Sequence, residues 1–324
     1  MLTRVIRVHE CGGPEVLRYE TVEVPPPSAG QVLVRNCAIG LNFIDAYFRI
    51  GRYRAVLPFI PGLEGAGIVE EIGPGVEGIS VGDRVGYIDP LGAYAEFLLR
   101  PAARLIKLPD SVDLRDAAAM LLKGMTAEYL LNRTYPVRAG EVVLIHAAAG
   151  GVGQILCQWA KHLGAEVIGT VGSAAKKDLA QRAGCDHIIV MSEEEFAPRV
   201  REITAGKGVP VVYDGIGATS FRGSLDCLSP FGTMVSFGNA SGPIPPFDVQ
   251  VLANKGSLFL TRPGLASYTA SRDDLEASTA RLFSVIEQGA VRIEIGECYP
   301  LAEAARAHAD LEARRLTGSN ILLP

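Results

Sequence analysis

The stretch from residue 141 to residue 153, EVVLIHAAAGGVG, restricts the fold of this chain more than any other part of it. An apolar run, VVLI, is followed by the pattern AxGxxG ending at Gly153, and a helical pattern then covers Gln154–Leu163. A turn of small residues between a strand and a helix lets the backbone approach a pyrophosphate, and the helix N-terminus favours negative charge. The sequence therefore predicts a dinucleotide site here. The predicted cofactor contacts in the turn are Ala149, Gly150, Gly151, Val152 and Gly153.

Strand and helix patterns alternate on both sides of this turn. The predicted strands that follow it are Glu166–Val171, His187–Val190, Val209–Tyr213 and Thr233–Phe237, and the helices between them are Lys176–Ala183, Glu194–Thr204 and Phe221–Cys227. Such alternation predicts an α/β fold with a doubly wound parallel sheet and right-handed crossovers. A helix-like segment, Asp113–Leu131, precedes the sheet with an expected interruption at Lys123–Thr126, and a long amphipathic helix over Asp273–Gln288 follows it.

The first third of the chain is rich in strand patterns. Arg4–Val8, Leu17–Glu23 and Gln31–Cys37 alternate apolar and polar residues, and the segments GGP and PPP interrupt them. Closely spaced glycines continue up to Gly86, which is typical of a compact β-barrel-like domain. The final segment, ILLP, is expected to return to this domain because a terminal strand alone has nothing to pair with.

Charge and cysteine usage restrict the class of protein. The net charge of −5 disfavours a nucleic-acid or anionic-membrane partner, which normally needs a basic face. The six cysteines are scattered without a C-x-x-C pair, which indicates reduced thiols in a cytoplasmic protein. No signal peptide is recognised at the start. The uncharged stretch Val142–Ala160 is better explained by the strand-turn-helix unit than by a membrane span.

The end of the second strand of the dinucleotide domain indicates which cofactor is bound. An acidic residue there would hold the ribose 2′-hydroxyl of NAD, but the sequence TVGSAAKK has no acid before Asp178. Two lysines stand where a 2′-phosphate would need positive charge, so NADPH is favoured over NADH. The predicted contacts are Gly172, Ser173 and Lys176. The alternative is that the lysines form only the solvated first turn of a helix, where the dipole disfavours cations.

Several motifs together resemble a known family. The segments GGPEVL, AIGLNFID, GLEGAGIVEEIG, VGDRV, LLKGMTAEYLL, AAAGGVG and VVYDGIG are similar to the quinone oxidoreductase branch of the medium-chain dehydrogenase/reductase superfamily, which includes zeta-crystallin. The resemblance extends from about Val5 to the last residues. It implies a GroES-like catalytic domain (1–122 and 262–324), an inserted Rossmann domain (123–261), a cleft between them for the reaction, and a homodimer.

The chain lacks the zinc ligands of the superfamily's alcohol dehydrogenases. Gly40 and Leu63 stand where those enzymes place a cysteine and a histidine, and neither can ligate zinc. Their four-cysteine lobe is also missing between Tyr87 and Lys123. Alcohol oxidation fits poorly without a Lewis acid, whereas a quinone or an enone needs mainly an oriented hydride donor and a proton source.

The resemblance also implies roles for individual residues. Asn42 and Tyr47 would line the pocket beside the nicotinamide as catalytic residues, and Lys123 and Thr126 would reach the ribose or the phosphates. Further implied cofactor contacts are Phe237, Gly238, Asn239, Arg262 and Arg314. As alternatives, Asn42 and Tyr47 are polar groups satisfied within a helix or loop, and Lys123 extends from a packed helix into solvent.

Three further positions bear on the site. The chain departs from the family at Met191 and Ser192, where relatives commonly place a tyrosine near the adenosine. His146, at the end of the cofactor strand, is predicted to be a local hydrogen-bonding residue rather than an acid or base.

These observations predict an NADPH-dependent, zinc-independent quinone reductase. One alternative is an NADPH-dependent reductase of α,β-unsaturated carbonyl compounds. Another is a non-catalytic NADPH-binding protein, either structural like a crystallin or a binder of RNA, although the net charge of −5 disfavours RNA.

Overall fold

The computed structural model describes the whole chain, Met1–Pro324. Its strands are β1 (Leu2–Val8), β2 (Leu17–Glu23), β3 (Gln31–Leu41), β4 (Gly65–Ile72), β5 (Arg84–Tyr87), β6 (Phe97–Pro101), β7 (Ile106–Lys107), β8 (Val142–Ile145), β9 (Glu166–Val171), β10 (His187–Val190), β11 (Val209–Asp214), β12 (Leu228–Ser236), β13 (Phe259–Thr261), β14 (Ile295–Pro300) and β15 (Ser319–Leu323). Its α-helices are α1 (Phe43–Arg49), α2 (Leu114–Tyr129), α3 (Gly151–His162), α4 (Lys177–Arg182), α5 (Phe196–Ile203), α6 (Phe221–Cys227), α7 (Gln250–Asn254), α8 (Leu265–Tyr268), α9 (Arg272–Glu287) and α10 (Ala304–Glu312).

The chain forms two compact units. The first contains Met1–Lys123 and Ile293–Pro324, and the second contains Gly124–Arg292. The first boundary lies within one residue of the expected one. The second lies at Arg292 instead of residue 261, because residues 262–292 pack within the second unit. Within that segment, α9 directs Ser278 and Arg281 onto the buried carboxylate of Glu128 in α2, at 2.8 and 2.9 Å.

The first unit is built around β3. Its larger sheet has the order β14-β15-β3-β4-β5-β7, with β6 also paired to β3, and β1 and β2 form a separate antiparallel pair. The terminal strand β15 pairs with β3 and β14, as predicted for the segment ILLP. The prediction ended β3 at Cys37, four residues early. All four residues from Ala38 to Leu41 are buried, so they lack the alternation that marks a half-exposed strand.

The second unit contains the predicted parallel sheet. Its six strands have the order β10-β9-β8-β11-β12-β13, and all neighbouring pairs are parallel. The direction of winding reverses at β8, so the crevice outside its carboxyl end is the topological switch point, where ligands bind in such sheets. The AxGxxG turn follows this strand directly.

The expected interruption of the helix at Lys123–Thr126 is wrong. Helix α2 is continuous from Leu114 to Tyr129, and a π-helical turn, Leu130–Thr134, extends it. A glycine costs an exposed helix about 1 kcal/mol, but here it serves packing. A Cβ atom on Gly124 would lie 2.5 Å from Cδ1 of Leu282 in α9, so the glycine allows the two helices to approach.

Other predicted elements are present with shifted ends. Helix α3 begins at Gly151 rather than Gln154, and the predicted helix Lys176–Ala183 divides into a 3-10 turn, Ala174–Lys176, followed by α4. All six cysteines carry free thiols. None of the helices combines the length and apolar character needed to cross a bilayer.

Candidate active site

The turn after β8 is tightly packed against α3. Gly150 is the N-cap of this twelve-residue helix. A Cβ on Gly153 would lie only 2.1 Å from the carbonyl oxygen of Ala147, so only glycine lets the helix sit this close to the turn. The backbone N–H groups of Gly151, Val152 and Gly153 lie in the first helical turn, where a helix provides no internal acceptor. The turn therefore offers free donors and a positive dipole end, which fit a pyrophosphate.

A buried polar network fastens this turn to neighbouring strands. The ring nitrogens of His146 bond to the hydroxyl groups of Thr170 and Ser224, each at 2.9 Å. Ser224 donates to Asp214 at 2.9 Å, and Asp214 also accepts from Ser220 at 2.6 Å. Burial lowers the pKa of His146, which keeps the ring neutral. The prediction that His146 is a local hydrogen-bonding residue is confirmed.

The network's other members were missed by sequence reasoning. Thr170, Asp214, Ser220 and Ser224 are all fully buried. The available signal was the position of Thr170 and Asp214 at strand ends. The Asp214 carboxylate also accepts from the backbone N–H groups of Ile216 and Gly217, at 2.7 and 3.0 Å, so it shapes the loop after β11.

The predicted 2′-phosphate residues follow β9 at the same edge of the sheet. Ser173 is the N-cap of the 3-10 turn that ends at Lys176, and the backbone N–H of Lys176 donates to the Ser173 carbonyl at 3.0 Å. Gly172 faces open space, since no atom lies within 4 Å of a Cβ built on it. The backbone N–H of Ala148 donates to the Thr170 carbonyl at 2.9 Å, which joins the AxGxxG turn to this strand end.

The predicted residues after β12 and β13 also lie at the carboxyl edge. The backbone N–H of Phe237 donates to the Asp214 carbonyl at 2.9 Å, and a Cβ on Gly238 would lie 2.3 Å from the carbonyl oxygen of Gly215. Arg262 donates through Nη1 to the Ser236 carbonyl at 2.7 Å. In the orientation of the Asn239 side-chain amide that gives both its oxygen and its nitrogen a hydrogen bond, the oxygen accepts from Arg262 Nη2 at 3.1 Å. Hydrogen bonds within the second unit thus bring Asn239 and Arg262 together.

Thr126 begins a separate cluster on α2. Its side chain hydrogen-bonds to Tyr129, whose ring stacks on Tyr268 with centroids 4.3 Å apart, and burial raises the pKa of Tyr129. The guanidinium of Arg133 lies over the Tyr268 ring, 4.9 Å from its centroid. These contacts fix α8 against α2 within the second unit.

In the first unit, the predicted catalytic residues lie on α1. Asn42 is the N-cap, and its backbone N–H donates to Oδ2 of Asp45 at 2.9 Å. Tyr47 is only 8% exposed, and its ring meets Tyr53 edge-on with centroids 5.5 Å apart. The guanidinium of Arg52 lies 5.0 Å from the centroid of the Tyr47 ring. Arg314, also predicted as a cofactor contact, is exposed just after α10.

Glu64 organises the polar groups around Asn42, and sequence reasoning assigned it no role. Its carboxylate is fully buried and accepts from Asn42 Nδ2 at 2.8 Å, from the Leu122 backbone N–H at 2.8 Å and from Lys123 Nζ at 3.3 Å. Lys123 is 5% exposed, so the alternative in which it extends into solvent is wrong. The missed signal was a charged residue inside the apolar, glycine-rich run GLEGAG.

The Glu64 carboxylate also explains why residue 40 is a glycine. A Cβ at this position would lie 2.1 Å from Glu64 Oε2 and 2.5 Å from the Ala118 carbonyl oxygen. A cysteine therefore cannot be accommodated without displacing Glu64. No group of three or more histidine, cysteine, aspartate or glutamate residues could hold a metal ion.

The fold and these sites define a two-unit oxidoreductase with a dinucleotide-binding sheet. Residues 28–110 match the family model described as alcohol dehydrogenase GroES-like domain, and residues 151–281 match that described as zinc-binding dehydrogenase. The chain belongs to the quinone oxidoreductase family of the medium-chain dehydrogenase/reductase superfamily, as the following relatives show.

The relatives match over nearly the whole chain. A quinone oxidoreductase of Pseudomonas aeruginosa is 52% identical, with 100% of both chains covered. A 2-haloacrylate reductase of Burkholderia is 46% identical, with 98% of both covered. The structure of the Escherichia coli quinone oxidoreductase complexed with NADPH superposes with a TM-score of 0.97 at 45% identity, covering 99% of this chain and 100% of that one.

Proposed function

We propose that this protein is an NADPH-dependent quinone reductase that works without zinc. The observation that carries the proposal is the Glu64 carboxylate, which fills the space beside Gly40 and pairs with Lys123 and Asn42. A site built this way orients polar groups, and Gly40 and Leu63 provide no side-chain ligands for the zinc ion that would activate an alcohol. A quinone is already electrophilic, so orientation is what its reduction requires. The quinone oxidoreductases among the relatives support this choice of substrate.

The residues of the carboxyl edge fit the dinucleotide. The first turn of α3 provides donors for the pyrophosphate, and Gly172, Ser173 and Lys176 follow β9 where the adenosine ribose and its 2′-phosphate bind in such folds. When bound, NADPH supplies the hydride. We assign Asn42 and Tyr47 to orienting the nicotinamide and the acceptor. Lys123 and Thr126 are assigned to the cofactor's ribose and phosphates.

The proposal is tested by following NADPH oxidation with a panel of quinones and a panel of enones. Each assay is run with and without EDTA and repeated with NADH. We expect quinone-dependent turnover that survives EDTA and is faster with NADPH. Turnover with enones alone would instead support the second candidate, a reductase of α,β-unsaturated carbonyl compounds, which the similarity to a 2-haloacrylate reductase favours. If both panels were silent while NADPH still bound, the protein would be a non-catalytic binder.

Replacing Lys176 with alanine is expected to reduce the preference for NADPH over NADH by about tenfold. This is the scale of one partly exposed charge-assisted contact, about 1.4 kcal/mol. The ratio of kcat/KM values for the two cofactors measures it. The matched control is Lys207→Ala, which removes an exposed lysine from the loop after α5. An unchanged ratio in the Lys176 variant would indicate that Lys177 or Arg314 recognises the 2′-phosphate instead.

We also propose that the protein is a homodimer joined through the second unit. Strand β13 is one of the two edge strands of the six-stranded sheet, and its Phe259 is 61% exposed. Phe231 and Val249, each 71% exposed, add apolar surface in this unit. A free edge strand with exposed aromatic residues is a site for pairing with a second copy.

The variant Phe259→Asp is expected to convert the dimer into a monomer, because it places a charge on the proposed pairing edge. Light scattering after size exclusion measures the mass. The exposed Val56, in the first unit, gives a matched control as Val56→Asp, which should stay dimeric. A dimer that persisted in the Phe259 variant would contradict this interface.

For location and other partners, we propose the cytoplasm and no nucleic acid. Six free, scattered thiols support a reducing compartment. The net charge of −5 argues against an RNA-binding role.

A further inference from the structure

A chain of buried hydrogen bonds in the first unit ends on α1, between the two predicted catalytic residues. Asp45 is fully buried one turn after Asn42, and its Oδ2 accepts from the Tyr94 hydroxyl at 3.0 Å. The same hydroxyl lies 2.9 Å from Nε2 of His308 in α10. The other ring nitrogen, Nδ1, lies 3.0 Å from Nη1 of Arg49, which is on α1 itself. The chain thus links α1 to α10 through Tyr94.

The direction of every bond in this chain is fixed by Arg49. A guanidinium can only donate, so Nδ1 of His308 must accept and the neutral ring carries its hydrogen on Nε2. Nε2 then donates to the Tyr94 oxygen, which leaves the Tyr94 hydrogen for Asp45. Burial, with the charge of Arg49, lowers the pKa of His308 to about 3, so the ring is neutral. The charge of Arg49 is balanced by Glu312, whose carboxylate it meets at 2.8 and 2.9 Å.

The surroundings of the Asp45 side chain disfavour its ionised form. Its Oδ2 accepts from Tyr94 and from the Asn42 backbone, but its Oδ1 is buried without a partner. The ammonium of Lys123, whose charge acts on Asp45, is already bonded to Glu64, so one cation serves two carboxylates. An ionised Asp45 would leave an unsolvated oxygen and an unbalanced buried charge.

The titration of Asp45 agrees with this geometry. Burial, with a smaller contribution from the charge of Glu64, raises the pKa of Asp45 to about 7, against the opposite effects of the Asn42 N–H, Tyr94 and Lys123. The folded protein therefore holds a proton on Asp45 below about pH 7 and loses it as the pH rises through this value.

We propose that Asp45 is a positioning residue that must carry a proton for α1 to hold Asn42 and Tyr47 in their working places. Loss of the proton creates a second anion that competes with Glu64 for Lys123. Since Glu64 also holds the Asn42 side chain, the disturbance reaches the residue assigned to the nicotinamide. This inference rests on the proposed function for what the positioned residues do, but the protonation and its effect on NADPH binding are independent of turnover.

Asp45→Asn is the decisive variant because asparagine mimics the protonated acid. Its oxygen can accept from Asn42 and Tyr94, and it cannot ionise. In the wild type we expect kcat to fall about tenfold for each pH unit above the inflection, as for one essential protonated group. In the variant kcat stays level, so that at pH 9, two pH units above the inflection near pH 7, it exceeds the wild-type value by about 100-fold. Tyr94→Phe removes a donor that stabilises the ionised form, so its inflection moves to higher pH.

Two measurements do not depend on turnover. The infrared carbonyl band of a protonated carboxylic acid should disappear from the wild type near pH 7, be absent in Asp45→Asn, and persist at higher pH in Tyr94→Phe. The NADPH dissociation constant should rise with pH alongside the loss of this band, and stay level in Asp45→Asn. Asp273→Asn, an exposed position in the first turn of α9, is the control and should behave as the wild type.

The outcomes separate this inference from the proposed function. The inference would be overturned if the infrared band of the wild type were also present in Asp45→Asn. It would also be overturned if NADPH binding and kcat depended on pH in the same way in the variant and in the wild type. A different outcome is that no acceptor is turned over, while the NADPH affinity depends on pH in the wild type and not in Asp45→Asn. This outcome would overturn the proposed function and support the inference.

Discussion

Replacing Glu64 with glutamine is expected to lower the free energy of unfolding by about 3 to 5 kcal/mol, the cost of breaking a buried ion pair on one side. The carboxylate accepts three N–H groups, from Asn42, Leu122 and Lys123. A glutamine must turn its amide nitrogen toward at least one of these donors, and the buried ammonium of Lys123 loses its counter-ion. Urea unfolding followed by circular dichroism measures the change.

Two further variants identify the cause. Adding Lys123→Met to the Glu64 variant removes the unpaired charge, so part of the lost stability should return. The matched control is Glu70→Gln, which breaks a pair with Arg35 whose side chains are 38% and 45% exposed. Exposed pairs contribute little, so its unfolding should be nearly unchanged. If Glu64→Gln and Glu70→Gln gave equal losses, Glu64 would not be a buried charge partner of Lys123.

Gly153→Ala is expected to weaken NADPH binding on the order of 100-fold. The added methyl group would lie 2.1 Å from the Ala147 carbonyl oxygen and 2.9 Å from Cα of Ala148. These are backbone atoms of the turn, so α3 and its N-terminal donors must move away from their present places. Displacements of about 1 Å at a binding site can cost this much. NADPH fluorescence titration measures the affinity.

The matched control is Gly264→Ala, at the N-cap of α8. No atom lies within 4 Å of a Cβ built there, and its φ of −136° suits any residue. This variant should fold and bind NADPH as the wild type does. Normal NADPH affinity in Gly153→Ala would mean that the turn does not hold the pyrophosphate.

Much of the second unit could be predicted because its signals are local. The apolar run, the small-residue turn and the helix after it lie within 22 residues of sequence, 142–163, and each type of element has its own hydrophobic period. The alternation that follows was sufficient to predict the parallel sheet, which is confirmed. The unsuitability of Gly40 and Leu63 as zinc ligands follows from residue type alone.

The sequence by itself therefore determined the fold class, the place of the small-residue turn between β8 and α3 and the lack of a zinc ligand at two positions. Only the tertiary structure decided that Glu64 joins Asn42 to Lys123, that Asp45 meets Tyr94, and that α2 continues through Gly124 against Leu282. Periodic patterns report what a residue does within its own element. Partners that lie tens of residues away along the chain are chosen by packing and by the need of every buried polar group for a hydrogen bond, which no local pattern records.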